Sequence, residues 1–352
     1  MNKVGQLLMI GIAGTKLSKE EAEFISTNQI GGVILFKRNI SEPKQIYELI
    51  SDIQKNLNTP AIIGVDQEGG RVARLGEPFT QFPPMSDVGK VDNDGSISHR
   101  LGEIMGSELA AVGFNIDFAP VLDVSTNPSN PVIGDRAFSS DAEVVANLTS
   151  EFILGIESCG VGACGKHFPG HGDSDADSHK ELPIIEGTVR SFNERELIPF
   201  KAAIKMGISS IMTAHLLAKP FDDKNVASVS KKIVTDLLRK KLGYDKLVFT
   251  DDLTMKGITC RFSIEDAAVK AIEAGSDIAM VCCENISIHK KILSSLKDAI
   301  NDGRISSSYF DASLKRIADF KNRFCKKSIS KKPNFDIIGS LGHAEFIKSH
   351  FS

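Results

Sequence analysis

The sequence predicts an α/β protein of the TIM type, a (β/α)8 barrel in a single domain, on three observations. Short apolar runs rich in β-branched residues alternate with longer amphipathic stretches, the pattern of parallel strands joined by helices. About eight such runs can be counted, the number that closes this barrel. Most of them lead into ionisable residues, as strands do where they open onto the working face of such a barrel.

The runs are Gly32 to Phe36, Ala61 to Val65, Phe114 to Pro120, Gly162 to Lys166, Ser209 to Ala214, a weaker one near Ala227, Leu247 to Thr250 and Asp277 to Val281. Helical periodicity fills the gaps over Ser18 to Asn28, Pro43 to Asn56, Ser98 to Val112, Asp141 to Ser158, Glu194 to Met206, Lys231 to Leu242 and Ile264 to Ala274. Two further helices are expected after the last strand. Ser41 and Ser263 stand where helices should start, and Gly207 and Gly275 where they should stop. The segment from Glu68 to Ile97, with Pro78, Pro83 and Pro84, cannot be one regular element. It is expected at the barrel mouth, as is Ser125 to Ser139. The barrel is assigned to residues 1–326. Residues 327–352 form a C-terminal tail, in which Lys327-Ser328-Ile329-Ser330-Lys331-Lys332-Pro333 reads as a linker before a short packed helix or a frayed end.

Composition narrows the function classes. Lys and Arg total 42 against 45 Asp and Glu, a net charge of -3, and no long basic run supplies an electrostatic footprint for nucleic acid. No run approaches the ~18 apolar residues of a membrane span. Leu7 to Ile10 after Lys3 raises the question of a signal peptide, but Gln6 interrupts the run and no small-residue cleavage site follows. The six cysteines, Cys159, Cys164, Cys260, Cys282, Cys283 and Cys325, lack metal-ligand spacing. The adjacent Cys282 and Cys283 are a poor framework disulfide, so a reducing compartment fits best.

The densest chemistry lies in Lys166 to His179, where one lysine, three histidines and three aspartates surround Pro169, Gly170 and Gly172. Such glycines and proline make a loop. Other strand ends are also polar: Val65 leads to Asp66-Gln67-Glu68, Phe118-Ala119-Pro120 to Asp123, Ala214 to His215, and Thr250 to Asp251-Asp252. A single aspartate at such a place is ordinarily a cap or a turn former. Cations, histidines and carboxylates at successive strand ends of one face are harder to attribute to capping.

Four motifs carry a resemblance. They are Gly64-Val65-Asp66-Gln67-Glu68-Gly69-Gly70-Arg71-Val72 with Arg74, Val132-Ile133-Gly134-Asp135-Arg136-Ala137-Phe138, Lys166 to His179, and Phe249-Thr250-Asp251-Asp252-Leu253-Thr254-Met255. In order and separation, across about residues 3 to 320, they resemble the bacterial β-N-acetylhexosaminidases of glycoside hydrolase family 3, of the single-domain peptidoglycan-recycling type. The resemblance implies that Asp251 is the nucleophile, His179 the general acid/base and Asp177 its partner. It makes Asp66, Arg74, Arg136, Lys166 and His167 the sugar-binding set. It further implies a retaining exo-β-N-acetylglucosaminidase that removes terminal N-acetylglucosamine from muropeptides carrying 1,6-anhydro-N-acetylmuramic acid, in the bacterial cytoplasm, without metal or cofactor. The expected partner is a small carbohydrate, not nucleic acid or a membrane, and the chain is expected to be a monomer. Thr250 replaces the family's usual serine and keeps the hydroxyl. The tail matches nothing in the family, and the chain is too short for the second domain that some members carry.

The residues suit the chemistry. A retaining glycosidase needs one carboxylate to form a glycosyl ester and a proton donor to release the leaving oxygen. Asp251 at a strand end suits the first task, with Arg74 or Lys166 expected to keep it ionised. A histidine, with an unperturbed pKa of about 6.5, can serve both half-reactions, and a carboxylate two residues away can fix its tautomer. The glycine-containing loop is expected to move. His171 is expected to shape the loop, Asp173 and Asp175 to be solvated, and Arg136 could instead simply pair with Asp135. Three rivals stand beside this reading: a metal-dependent hydrolase, which lacks a recognisable ligand spacing; a non-catalytic sugar-binding barrel; and a β-glucosidase-like enzyme of the same family.

Overall fold

The computed structural model of the chain describes residues 3–55, 57–325 and 333–351. Eight parallel strands close a barrel in chain order: β1 (Leu8–Gly11), β2 (Gly32–Ile34), β3 (Ile62–Val65), β4 (Ile116–Asp117), β5 (Gly162–Phe168), β6 (Ser210–Thr213), β7 (Leu247–Asp252) and β8 (Ile278–Val281), with β8 pairing back onto β1. The (β/α)8 class is therefore the one the sequence predicts, but the eight strands are not all the expected ones. The run near Ala227 is a short 3-10 turn, Ala227–Val229. The missing strand is β1, formed by the apolar run that had raised the question of a leader. All four of its residues are buried. Lying between helices on the outside and packed side chains within, barrel strands lose the alternation that marks a half-exposed strand.

Helices flank the barrel at α1 (Lys19–Asn28), α2 (Pro43–Lys55), α3 (Ser96–Val112), α4 (Ala142–Ser158), α5 (Leu197–Met206), α6 (Ile264–Ala274), α7 (Ile286–Asn301) and α8 (Ser307–Phe324), with Lys232–Lys241 wound as a π-helix. Local chemistry sets their ends. Ser18 and Glu21 form a capping box at α1, and Asp141, Ser263, Asn285 and Ser306 accept backbone N–H groups at the starts of α4, α6, α7 and α8. Ser41 does not cap in this way; its N–H and hydroxyl both donate to Gln45 Oε1. Gly207 and Gly275 follow α5 and α6 at φ 90° and 126°, a region that favours glycine.

Inside the barrel, Phe118 and Phe249 meet edge to face with centroids 5.4 Å apart. A Cβ on Gly64 would stand 2.6 Å from the Phe118 ring, so a glycine on β3 makes room for this pair. The segment from Glu68 to Ile97 does not stay at the mouth. Arg71 and Arg74 remain there, but Thr80 donates through its N–H and hydroxyl to Glu108, near the carboxyl end of α3. The predicted linker, 327–333, lies outside the described residues except for Pro333. Beyond it a last helix, α9 (Leu341–Phe351), follows a 3-10 turn over Phe335–Ile337. Among the described residues no helix is long and apolar enough to cross a membrane.

Candidate active site

A cavity of about 300 Å³ opens at the carboxyl ends of the strands, where ligands bind in this architecture. Asp66, Arg74, Arg136, Lys166, His167, Asp177, His179 and Asp251 all line it, together with Phe36, Glu68, His171, Ser178 and Met280. All eight residues singled out in the sequence thus share one pocket, although they come from β5, β7 and the three loops that follow β3, β4 and β5.

One wall is a buried chain of alternating charges. Arg74 NH2 donates to Asp66 Oδ2 at 3.1 Å, and Lys166 Nζ bridges Asp66 Oδ1 at 3.0 Å and Glu68 Oε1 at 2.6 Å. Arg136 meets Glu68 bidentately, Nε to Oε2 at 2.7 Å and NH2 to Oε1 at 2.8 Å. This fork-on-fork geometry fixes both planes. Burial alone would neutralise Glu68, but the opposed Arg136 and Lys166 charges hold its carboxyl far below the ordinary value. The same balance, with Lys166 and Arg74 outweighing burial, lowers Asp66. Asp135 is not the partner of Arg136; it pairs with Arg71 at 2.7 Å.

Lys166 and His167 are adjacent on β5, yet both line the pocket, at a point where pairing with β6 shifts register and the Lys166–His167 peptide is cis. His167 Nδ1 lies 2.7 Å from Asp123 Oδ2, and Arg136 NH2 lies 3.3 Å from Nε2. An arginine can only donate, so Nε2 accepts and Nδ1 carries the proton to Asp123. Asp123, wholly buried, also accepts the backbone N–H groups of His167 and His171. Burial is outweighed there by His167, and the carboxyl stays below its usual range. Asp123 and Glu68 were not assigned to the site from sequence. A strand-end carboxylate shows which face it occupies, but not whether it meets ligand or another side chain.

The nucleophile candidate and the proton-donor candidate sit in contrasting settings. Asp251 ends β7 and its Oδ1 accepts the Asp252 N–H at 2.8 Å. Burial opposes its ionisation, but His215, His167, the Asp252 N–H and His179 favour the charged form and hold the carboxyl below its ordinary value. Arg74 and Lys166, expected from sequence to do this, are instead committed to Asp66. His179 is 64% exposed on the loop after β5, and its Nδ1 lies 2.9 Å from Asp177 Oδ1. A carboxylate at Nδ1 fixes the proton there and leaves Nε2 to exchange protons. Asp177 itself stays below the usual range, since the bonds from the His179 N–H and ring outweigh its partial burial.

Other residues near the site make contacts within the protein. His171 donates its N–H to Asp123 at 2.7 Å and its Nε2 lies 3.2 Å from Ser178 Oγ. Burial holds the imidazole down to about 4, so it is neutral at neutral pH. Asp173 is not merely solvated: it accepts from Arg195 at 2.9 Å and from Thr126. Thr250 Oγ1 accepts the Met280 N–H at 2.9 Å, so the hydroxyl retained at that position ties β7 to β8.

The glycosyl hydrolase family 3 N-terminal domain matches residues 1–320. The chain belongs to glycoside hydrolase family 3. This family 3 enzyme is 39% identical over 280 residues to a beta-hexosaminidase of Thiobacillus denitrificans, covering 78% of this chain and 77% of that one. Its fold superposes with a TM-score of 0.94 at 36% identity on a family 3 beta-N-acetylglucosaminidase from Paenibacillus, over 99% of this chain and 67% of that one. It also matches NagZ from Neisseria gonorrhoeae, solved in complex with N-trifluoroacetyl-D-glucosamine, at a TM-score of 0.75 and 31% identity over 89% of this chain and 97% of that one. The chain is a glycosidase, and a carbohydrate is its substrate.

Proposed function

We propose that the enzyme is a retaining exo-β-N-acetylglucosaminidase that releases terminal N-acetylglucosamine from muropeptides of the 1,6-anhydro-N-acetylmuramic acid type, as part of cytoplasmic peptidoglycan recycling. The observation that carries the reading is the pairing, in one pocket, of an ionised strand-end carboxylate, Asp251, with a carboxylate-oriented imidazole, His179. The names of the relatives support the sugar and the linkage.

In the first half-reaction an Asp251 oxygen attacks the anomeric carbon as the glycosidic bond breaks, and His179 gives its Nε2 proton to the departing oxygen. In the second, Nε2 takes a proton from water, whose oxygen attacks the same carbon and displaces Asp251. Asp177 stabilises the imidazolium present before the first transfer and after the second. The buried charge chain holds Asp66, Arg74, Arg136 and Lys166 as preset donors and acceptors for sugar hydroxyls.

His179→Ala tests the acid. The loss of turnover should be severe on a muropeptide and far smaller on 4-nitrophenyl N-acetyl-β-D-glucosaminide, whose leaving group hardly needs a proton; equal losses on both would sink the assignment. Mass spectrometry with a trapping fluorosugar should place the adduct on Asp251 and find none in Asp251→Ala. Comparison of nitrophenyl glucoside with N-acetylglucosaminide separates this reading from a β-glucosidase.

A further inference from the structure

A second cavity, of about 450 Å³, lies at the opposite, amino-terminal end of the barrel. It is walled by the segments that precede β1, β2 and β3, through Gln6, Gln29 and Thr59, and by α8, through Leu314, Ile317 and Lys321. Among the described residues no carboxylate lines it, and two lysines do.

Lys321 is the unusual member. It is only 3% exposed, and its single side-chain partner among the described residues is the neutral Gln6 Oε1, 2.7 Å from Nζ. An ammonium carries three donors, so two are left without an acceptor among the described residues. Gln6 has no second acceptor to offer, because its amide nitrogen donates to the Gln29 carbonyl. Buried cations are ordinarily paired, since an isolated one loses its hydration without recompense. Here burial pulls the amine down to about 8, and the only titratable group acting on it among the described residues is the Cys325 thiol. At neutral pH the amine still keeps its proton. The carboxyl end of α8 eases the burial with roughly half a negative charge, but it does not fill the cavity or use the two hydrogens. Lys3, exposed beside the same cavity, adds a second positive charge.

We propose that this cavity is a binding site for a small oxyanion, a phosphate or carboxylate group, seated on Lys321 with Lys3 at its mouth. The anion would supply the acceptors that the protein withholds, and the ring of neutral polar groups, Thr27, Asn58 and Thr59, would contact the rest of the ligand. The site lies across the barrel from the sugar pocket and does not depend on how that pocket works.

Thermal unfolding of the full chain, at constant ionic strength set with chloride, tests it. Added inorganic phosphate should raise the Tm in a saturable manner, and a parallel titration with acetate tells a phosphoryl site from a carboxylate site. In Lys321→Met, an unbranched apolar replacement, the rise should vanish while turnover of the nitrophenyl substrate is unchanged. No rise in the wild type with either anion overturns the proposal. So does an equal rise in Lys321→Met, which would place the anion elsewhere, such as on the cations of the sugar pocket. Should that variant not fold, Lys3→Glu at the exposed rim decides: apparent phosphate affinity should fall about tenfold, and an unchanged affinity overturns the site.

Discussion

The Ser178 carbonyl accepts the Gly257 N–H at 2.8 Å, joining the loop that carries Asp177 and His179 to the turn that follows the Asp251 strand. Ser178 is itself buried, with its hydroxyl 3.2 Å from His171 Nε2, so the loop is pinned between its two candidate catalytic residues and not only at its ends. A Cβ on Gly257 would stand 3.0 Å from the Ser178 carbonyl oxygen and 2.9 Å from that of His215. Gly257→Ala should therefore displace the loop at Ser178 and press on the backbone of His215, while Asp251 is not among the atoms it would meet. We expect kcat on a muropeptide to fall roughly 10- to 100-fold, the usual cost of misplacing a reacting group, with a smaller fall on the nitrophenyl substrate. Steady-state kinetics on the two substrates check this, and equal falls would show that the strand end had moved as well.

The buried charge chain makes Glu68 a stability residue as well as a wall of the pocket. Glu68→Ala would leave Lys166 and Arg136 without their shared partner, a change that typically costs about 3 to 5 kcal/mol. The sign of the acid response follows from the lowered carboxyl. Its contribution is present in full above the unfolded value near 4.5 and declines as the pH falls below it toward the lower folded value. Urea unfolding at pH 7 and pH 3.5 should show the wild type losing stability over that interval, and Glu68→Gln losing less of it.

Two buried histidines set a higher acid window. Burial holds both His171 and His289 down to about 4, whereas the unfolded chain protonates each near 6.5. Between those values the unfolded state binds more protons, so stability falls as the pH is lowered from 6.5 to 4. Each group contributes up to about 1.4 kcal/mol per pH unit in that range. His289→Gln, at a residue that does not line the sugar pocket, should flatten the dependence of unfolding free energy on pH there while leaving turnover intact. An unaltered slope would mean that His289 is not held neutral.

The polar strand ends were legible because a barrel gives them one destination: Asp66, Lys166, His167 and Asp251 all reach the pocket from the ends of their strands. The motifs added Arg74, Arg136, Asp177 and His179, which arrive on loops that no periodicity could orient. What stayed hidden was pairing. Nothing in the sequence tells that Glu68, rather than Asp135, meets Arg136 across 68 positions, or that Asp123 receives His167. Such contacts are set by how strands register around the barrel and by which carboxylate can be buried with a cation. β1 escaped for a related reason, since four buried residues without alternation near the start of the sequence read as readily as the apolar run of a leader as they do as a strand. The Ala227 run misled because Ala227, Ser228 and Val229 are buried too, but in a turn whose Ser228 hydroxyl lies 2.8 Å from His215 Nδ1.

The C-terminal helix has its own anchor in Glu108. This buried carboxylate on α3 accepts the N–H and hydroxyl of Thr80 and the Gly339 N–H at 2.9 Å, and lies 2.8 Å from His343 Nδ1. Two segments that share no secondary structure thus converge on one side chain, and Tyr47 of α2 meets Phe335 beside them with centroids 6.1 Å apart. Glu108→Ala would strand several buried donors at once, and we expect a loss of about 3 kcal/mol or more. His343→Ala removes a single partner and should cost roughly 1 to 2 kcal/mol. Because both changes act through one carboxylate, their effects should not add: the double variant should be no less stable than Glu108→Ala by more than a few tenths of a kcal/mol. Full additivity in urea unfolding would mean that α9 is held by its apolar contacts and not by Glu108. Turnover of the nitrophenyl substrate should be unchanged in both variants at temperatures where they remain folded, since neither residue lines the sugar pocket.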